Sequence, residues 1–210
     1  MFRELIRGFN MPFHGNRIIL LLVLGSACAF ALDGRRQGDF FGAGIGPSLT
    51  LYSQELVPPS PGTSVSIPQK TSMGMGNQFM IGGGLNESTL LFLSIHYNWF
   101  KFENPSQHYT TFNTNTGIGI IQYFNSDTTF TPSPYISGGI GLSAWDHDIF
   151  NPNSTPGLGL FLGAGYEFVK HYAIQLNGIY SNPSPVSTPS GYEVHIDSFG
   201  FQLNLVAMAY

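Results

Sequence analysis

The sequence predicts an all-β fold, an eight-stranded antiparallel up-and-down transmembrane β-barrel. Three observations carry that expectation. Apolar residues recur with a period of two over eight successive segments, the pattern of strands with one apolar face. Charged residues make up 10% of the 210 residues, against roughly 25% in ordinary soluble domains. Aromatics make up 14%, with 26 Gly and 14 Pro. No apolar run after residue 40 reaches the ~18 residues of a membrane-spanning helix, so a chain this apolar would meet lipid with strands. The same arithmetic excludes other classes. A formal net charge of −4 argues against a nucleic-acid partner. A single Cys excludes a disulfide scaffold or a Cys-based zinc site.

The first element is an address. Arg3, Arg7 and Arg17 precede the apolar run Ile18-Ile19-Leu20-Leu21-Leu22-Val23-Leu24, and small residues end it at Ala29-Phe30-Ala31. A positive start, a short apolar stretch and an Ala-x-Ala end define a secretory signal peptide. The expected division is therefore a signal peptide over 1–31 and a barrel over 32–210. Two alternatives stay open: translation from Met11, and lipidation of Cys28 instead of cleavage after Ala31. Without its signal the chain keeps Arg35, Arg36, Lys70, Lys101 and Lys170 against eleven carboxylates.

The strands follow in order. Phe41, Ala43, Ile45, Leu49 and Leu51 alternate with Gly42, Gly44, Gly46, Ser48 and Thr50. A weaker second segment runs from Phe79 to Leu85. The third opposes Leu91, Leu93, Ile95, Tyr97 and Trp99 to Phe92, Ser94, His96, Asn98 and Phe100. In the fourth, Thr114, Thr116, Ile118 and Ile120 alternate with Asn113, Asn115, Gly117 and Gly119. The fifth places Ile136, Gly138, Ile140 and Leu142 against Tyr135, Ser137, Gly139, Gly141 and Ser143. In the sixth, Leu158, Leu160, Leu162, Ala164, Tyr166 and Phe168 oppose Gly157, Gly159, Phe161, Gly163, Gly165 and Glu167. The seventh sets Ile174, Leu176 and Tyr180 against Gln175, Asn177 and Ser181. The eighth sets Phe199, Phe201, Leu203 and Leu205 against Ser198, Gly200, Gln202 and Asn204.

Connections alternate in length. Short ones are expected at 86–88, 125–127 and 170–171. Long, Pro-bearing ones are expected at about 53–74, 103–109, 145–156 and 182–191, since Pro and Asn mark loops rather than strand interiors. All long loops then lie at one end, as an up-and-down barrel requires. The two faces separate a membrane barrel from a soluble one. One is Leu, Ile, Phe and Ala; the other is Gly, Ser, Asn, Thr and Gln, with little charge. Closure leaves no unpaired strand edge in the bilayer. Aromatics near segment ends (Tyr97, Trp99, Tyr123, Phe124, Trp145, Tyr166, Phe168, Tyr172, Tyr180 and Tyr210) are expected to form two interfacial girdles.

Pro134-Tyr135-Ile136-Ser137-Gly138-Gly139-Ile140-Gly141-Leu142 resembles a strand of the small outer-membrane barrels of the OmpA/OmpX type. Gly163-Ala164-Gly165-Tyr166-Glu167-Phe168, followed by Ala173-Ile174-Gln175-Leu176, is similar to the next hairpin of that family. Gly42-Ala43-Gly44-Ile45-Gly46-Pro47 also fits, and the resemblance covers about residues 38–210. It implies residence in the outer membrane of a Gram-negative-type bacterium, contact with outer-membrane lipid and lipopolysaccharide, and insertion by the barrel-assembly machinery through the C-terminal strand ending at Tyr210. It transfers no catalytic residues. One departure stands out. The family ends in an aromatic in phase with its lipid-facing residues, whereas Tyr210 shares parity with Val206 and Met208, opposite to Phe199–Leu205. A β-bulge near Leu205-Val206 would reconcile them.

Few residues suggest chemistry. Asp146-His147-Asp148 could bind a divalent metal, although consecutive residues rarely face one ion. His96 and Glu167 have inward parity, Lys101 outward, and an inward Glu167 needs a cationic partner from a neighbouring strand. His195, Asp197 and Ser198 match no lipid-hydrolase motif, since Ser198 lies on the face opposite the other two. Catalytic residues and cofactors are therefore expected to be none. Phe92, Phe100, Tyr135 and Phe161 share the inward parity and should block a water channel. The expected function lies in the extracellular loops, as adhesion, surface interaction or envelope stability, by a monomer with an extracellular ligand. The alternatives are a narrow pore or small hydrophobic-ligand carrier, and a lipid-modifying enzyme.

Overall fold

A computed structural model describes residues 36–59, 62–104, 107–125, 132–146, 156–187 and 191–210. The expected signal peptide, with Met11, Cys28 and Ala31, lies outside them. The described chain contains β1 (Gly38–Val57), β2 (Val65–Asn86), β3 (Thr89–Asn104), β4 (Gln107–Tyr123), β5 (Ser133–Asp146), β6 (Gly157–Val169), β7 (Tyr172–Asn182), β8 (Val186–Ser187) and β9 (Glu193–Ala209). Strands β1 to β7 pair with their neighbours in sequence order, β7 pairs with β9, and β9 returns to β1. All pairings are antiparallel, so eight long strands close a barrel. β8 is a two-residue ribbon at Val194 and Glu193 of β9.

The register fixes the geometry of the wall. Phe41 stands opposite Ile81, and the row continues through Leu93, Ile118, Ile140, Leu160, Tyr180 and Phe199 to Leu51. One circuit thus ends ten residues further along β1. With a rise of ~3.3 Å per residue and a strand spacing of ~4.8 Å, that stagger tilts the strands by about 40° and gives a backbone cylinder of about 8 Å radius. Every residue in this row has outward parity, and all are apolar or Tyr. Leu51 stands about 25 Å above Phe41 along the barrel axis, the height of a membrane barrel's apolar band. Ile81, Leu93, Ile118, Ile140 and Leu162 are 51%, 57%, 57%, 54% and 70% exposed. Such a belt over the whole circumference is stable only against lipid.

The alternation expected in each segment holds in the structure, including the weak second one. Three expectations are corrected. First, the segments at 53–74 and 103–109 are mostly strand. β1 runs to Val57 and β2 starts at Val65, while Asn104 pairs with Gln107 across a two-residue connection. Pro68 fits because it lies in a β2 bulge, where Pro68 and Gln69 together stand against Ser53 and a missing N–H costs no ladder bond. The connections at this end are 58–64, 105–106, 147–156 and 183–192. At the other end the Glu87-Ser88 and Lys170-His171 turns are tight, but 124–132 is longer than the short turn expected there.

Second, Tyr123, Trp145 and Tyr210 belong to no girdle. They are 2%, 6% and 3% exposed and point inward, as their parity with Asn113, Ser143 and Asn204 demands. Tyr166, Phe168 and Tyr172 remain on the outside at the end carrying the termini, and Tyr97, Trp99 and Phe112 pack together outside near the other. Third, β9 contains no bulge at Leu205-Val206. Its pairing with both β1 and β7 is unbroken through those residues. Val206, Met208 and Tyr210 continue the inward face.

Candidate functional site: lumen and projecting rim

The interior is filled in three layers. Nearest the termini, Phe40, Phe92, Tyr123, Tyr135, Phe161 and Met208 belong to one buried apolar cluster. The Phe92 and Phe161 rings lie 6.0 Å apart, and Tyr123 and Tyr135 5.1 Å apart. Inward glycines admit these rings: a Cβ on Gly139 would stand 2.5 Å from the Phe161 ring, and Gly165 makes similar room for Tyr135. The small lumen face is therefore complementary to large side chains from neighbouring strands, and encloses no open bore at this level.

The middle layer is polar. Tyr135 Oη donates to Gln175 Oε1 (3.3 Å), and Gln175 Nε2 to Asn177 Oδ1 (2.8 Å) and Ser137 Oγ (2.9 Å). Asn177 Nδ2 donates to Gln78 Oε1 (3.1 Å). Asn204 Nδ2 donates to Gln202 Oε1 (3.2 Å), and Gln202 Nε2 to Asn98 Oδ1 (2.8 Å). Higher up, Asn113 Nδ2 donates to Ser198 Oγ (3.0 Å), and Ser181 Oγ to Asn113 Oδ1 (3.2 Å). Uncharged amides can satisfy one another across a narrow lumen at no cost in buried charge. His96 lies in this layer, fully buried, its ring 4.6 Å from Phe161.

The third layer closes the far mouth. Tyr52, Phe100, Trp145, Val194 and Ile196 form a second buried apolar cluster, with Leu56 packed on it. The Phe100 and Trp145 rings stand 5.2 Å apart at 78°, an edge-to-face pair. Phe92, Phe100, Tyr135 and Phe161 thus project inward as their parity predicts, and Trp145 and Tyr52 join them.

A single carboxylate gathers the opposite end. Glu167 is fully buried and forms an ion pair with Arg36 at 2.9 Å. It also accepts from the Tyr210 hydroxyl and from the His171 backbone N–H (3.0 Å). Arg36 lies 3.6 Å from the centre of the Tyr123 ring and donates to the Asn125 carbonyl at 3.1 Å. His171 takes a left-handed backbone, φ 74°, in the β6–β7 turn. The expected cation for Glu167 therefore comes from the segment entering β1. Burial opposes the Arg36 charge, but Tyr123, Glu167 and Tyr210 around it outweigh burial and raise its pKa. Burial, with Lys170 beside it, lowers that of His171. The start of β1, the end of β9 and the β6–β7 turn are joined at this one group.

Beyond the belt, the upper parts of β1, β2 and β9 continue as paired strands. Val57 lies six residues past Leu51, about 15 Å higher. The outward residues there are mostly polar: Ser53, Glu55, His195, Asp197 and Glu193, with Val57 opposite Glu193 and His195 Nε2 3.7 Å from Glu193. Of the proposed metal ligands, Asp146 is the last residue of β5, and His147 and Asp148 lie outside the described residues. His195 and Asp197 face outward while Ser198 is buried in the lumen on Asn113, so the structure does not assemble these three. Lys101 is exposed on the outer wall.

A closed barrel, a belt of about 25 Å and an interior of amides and rings define a small transmembrane β-barrel of the outer-membrane kind, which places the chain in the outer membrane of a Gram-negative-type envelope. A solved structure agrees on the architecture. The outer membrane protein OprG from Pseudomonas aeruginosa has a TM-score of 0.52 at 13% identity, over 85% of this chain and 99% of that one. The outer membrane protein AlkL gives 0.49 at 13% identity, over 83% and 91%, and Neisserial surface protein A 0.41 at 16%, over 80% and 99%. At such identities the likeness is one of fold. No family model matches the sequence, and no curated protein matches it.

Proposed function

We propose that this barrel works from its outer surface, as a non-enzymatic monomer that presents a stiff strand platform for adhesion, surface interaction or envelope stabilisation. One observation carries the reading: the lumen is packed with side chains at three levels, while the wall extends about 15 Å past the lipid belt. In this orientation the termini and the Glu87-Ser88 and Lys170-His171 turns face the periplasm. A protein made for passage would open its bore, and one made for anchoring alone would end its strands at the interface. Extending strands, rather than loops, holds the tips in fixed positions, which lowers the ordering cost of binding a partner. Assembly through the C-terminal strand ending at Tyr210 belongs to the same reading, with Phe199, Phe201, Leu203 and Leu205 as the outward residues presented.

The test is to shorten the platform. Residues 53–69 are replaced by an Asn-Gly hairpin turn, which keeps Tyr52 opposite Lys70, and insertion is checked by heat-dependent gel mobility. Cells carrying the shortened barrel should insert it normally and lose attachment to immobilised matrix proteins or to one another. Normal attachment with the tips removed would defeat the proposal.

A second reading has one observation in its favour. The side chains that close the far mouth, Tyr52, Phe100, Trp145 and Leu56, are apolar, the surface a small hydrophobic solute would meet on entry. Uptake of such a solute that falls on Trp145→Ala, with attachment unchanged, would favour a carrier.

A further inference from the structure

A groove crosses the outside of β2, β3 and β4. Met73, Met75, Trp99 and Phe112 line it, with Lys101 and Thr110 at its upper rim, and it is a shallow, open groove of about 540 Å3. Met75 pairs with Trp99, which pairs with Phe112, so three adjacent strands contribute to one floor. Met73 is 77% exposed and Met75 42%. Trp99 is held by Tyr97, whose ring lies 6.4 Å away and nearly parallel, and Phe112 packs edge-on against Tyr97. Ser72 Oγ donates to the Lys101 carbonyl at 2.8 Å and fixes the rim.

Height decides what this groove meets. Trp99 is six residues up β3 from Leu93, which places it about 21 Å above Phe41, just inside the top of the belt. Lys101 is two residues higher, about 26 Å up, where headgroups begin. An apolar groove at acyl-chain depth under an ammonium at phosphate depth is complementary to one ligand chemistry, a lipid with an anionic phosphate. At the same level three strands round from β3, Asp197 of β9 faces outward, with Glu55 of β1 and Glu193 of β9 above it, so negative charge in this band lies on β1 and β9 and the Lys101 charge on β3.

We infer that this groove is a binding site for a phosphorylated glycolipid of the outer leaflet, with an acyl chain along Met73, Met75, Trp99 and Phe112 and a phosphate on Lys101. The leaflet assignment rests on the orientation proposed above. The binding chemistry does not, because a vesicle or nanodisc offers the same lipids on both faces.

The test uses the mature barrel in phosphatidylcholine nanodiscs containing equal small fractions of lipid A and phosphatidylglycerol. Native mass spectrometry reads the lipid retained after release. The wild type should keep lipid A in preference to phosphatidylglycerol. Lys101→Gln should lower that retention about fivefold, the effect of one lysine charge at a lipid surface, and Lys101→Arg should restore it. In a Trp145→Phe background, lipid A carrying brominated acyl chains should quench Trp99 fluorescence. Equal retention by the Lys101→Gln barrel would overturn the inference. So would indifference between lipid A and phosphatidylglycerol, or a dimer mass in place of a lipid adduct. None of these outcomes bears on attachment by the strand tips, so the two proposals fail separately.

Discussion

Ile140 offers the sharpest probe of the wall. It lies on β5 with its side chain outward and 54% exposed. In the pairing row from Phe41 it is four strands along, about 12 Å up a belt of about 25 Å, hence at the bilayer midplane. Replacing it with Arg puts a guanidinium where neither leaflet's headgroups are in easy reach. Midplane arginines on membrane barrels cost about 2–4 kcal/mol, and interfacial ones about 0–1 kcal/mol. Ile136 and Ala144 on the same strand face the same way, roughly 10 Å below and above. The expected series is therefore a peak: Ile140→Arg loses about 30- to 900-fold in the folding equilibrium, with Ile136→Arg and Ala144→Arg within about fivefold of wild type. Reversible denaturant unfolding in phospholipid vesicles, followed by the fluorescence of Trp99 and Trp145, measures all three. Equal costs along the strand, or a neutral Ile140→Arg, would refute the parity and the depth together.

Three further outcomes follow from the interior and the rim. Arg36→Leu leaves Glu167 buried without its ion pair and should destabilise the barrel by about 3–5 kcal/mol in the same titration, while the double change with Glu167→Leu should recover much of that loss. Gly139→Ala drives a Cβ onto the Ile118 carbonyl oxygen and to 2.5 Å from the Phe161 ring and should reduce folding yield, whereas at its neighbour Gly138 the nearest atom to an added Cβ is 3.5 Å away, so Gly138→Ala should fold like wild type. Protease applied to intact cells should cut at 58–64 and spare the paired segments at 53–57 and 65–72, because a strand in a ladder does not fit a protease cleft; early cuts within 65–72 would show that the projecting hairpin is not formed.

Much of the wall was legible in the sequence, because lipid imposes a two-residue period. Leu91 to Trp99 and Leu158 to Phe168 declare their faces without any structure. The period fades where lipid ends. Above the belt both faces are wet or only partly covered, so Gln54, Glu55, Ser66, Thr110 and Thr111 carry no alternation of hydropathy, and the strands there read as loops. Tyr123, Trp145 and Tyr210 misled for another reason. Their residue type suits an interface, but their parity points inward, and parity is the stronger constraint because a pleated strand cannot turn one side chain to the other face. Arg36 carried no periodic signal at all. It meets Glu167 across 131 positions of sequence, a contact made only when the barrel closes. The lumen's amide chain was half legible: the inward Gln, Asn and Ser were visible, but their mutual pairing depends on the stagger of ten residues.

Single-channel recording in planar bilayers tests most directly whether the lumen is filled. The barrel, inserted at low density under an applied voltage, should give no steady conductance steps, and removing the rings at Phe92 and Phe161 alone should not open it, because the cluster of Tyr52, Phe100 and Trp145 still closes the far mouth. Stable, uniform steps from the wild-type protein would contradict the account and make passage through the barrel its work.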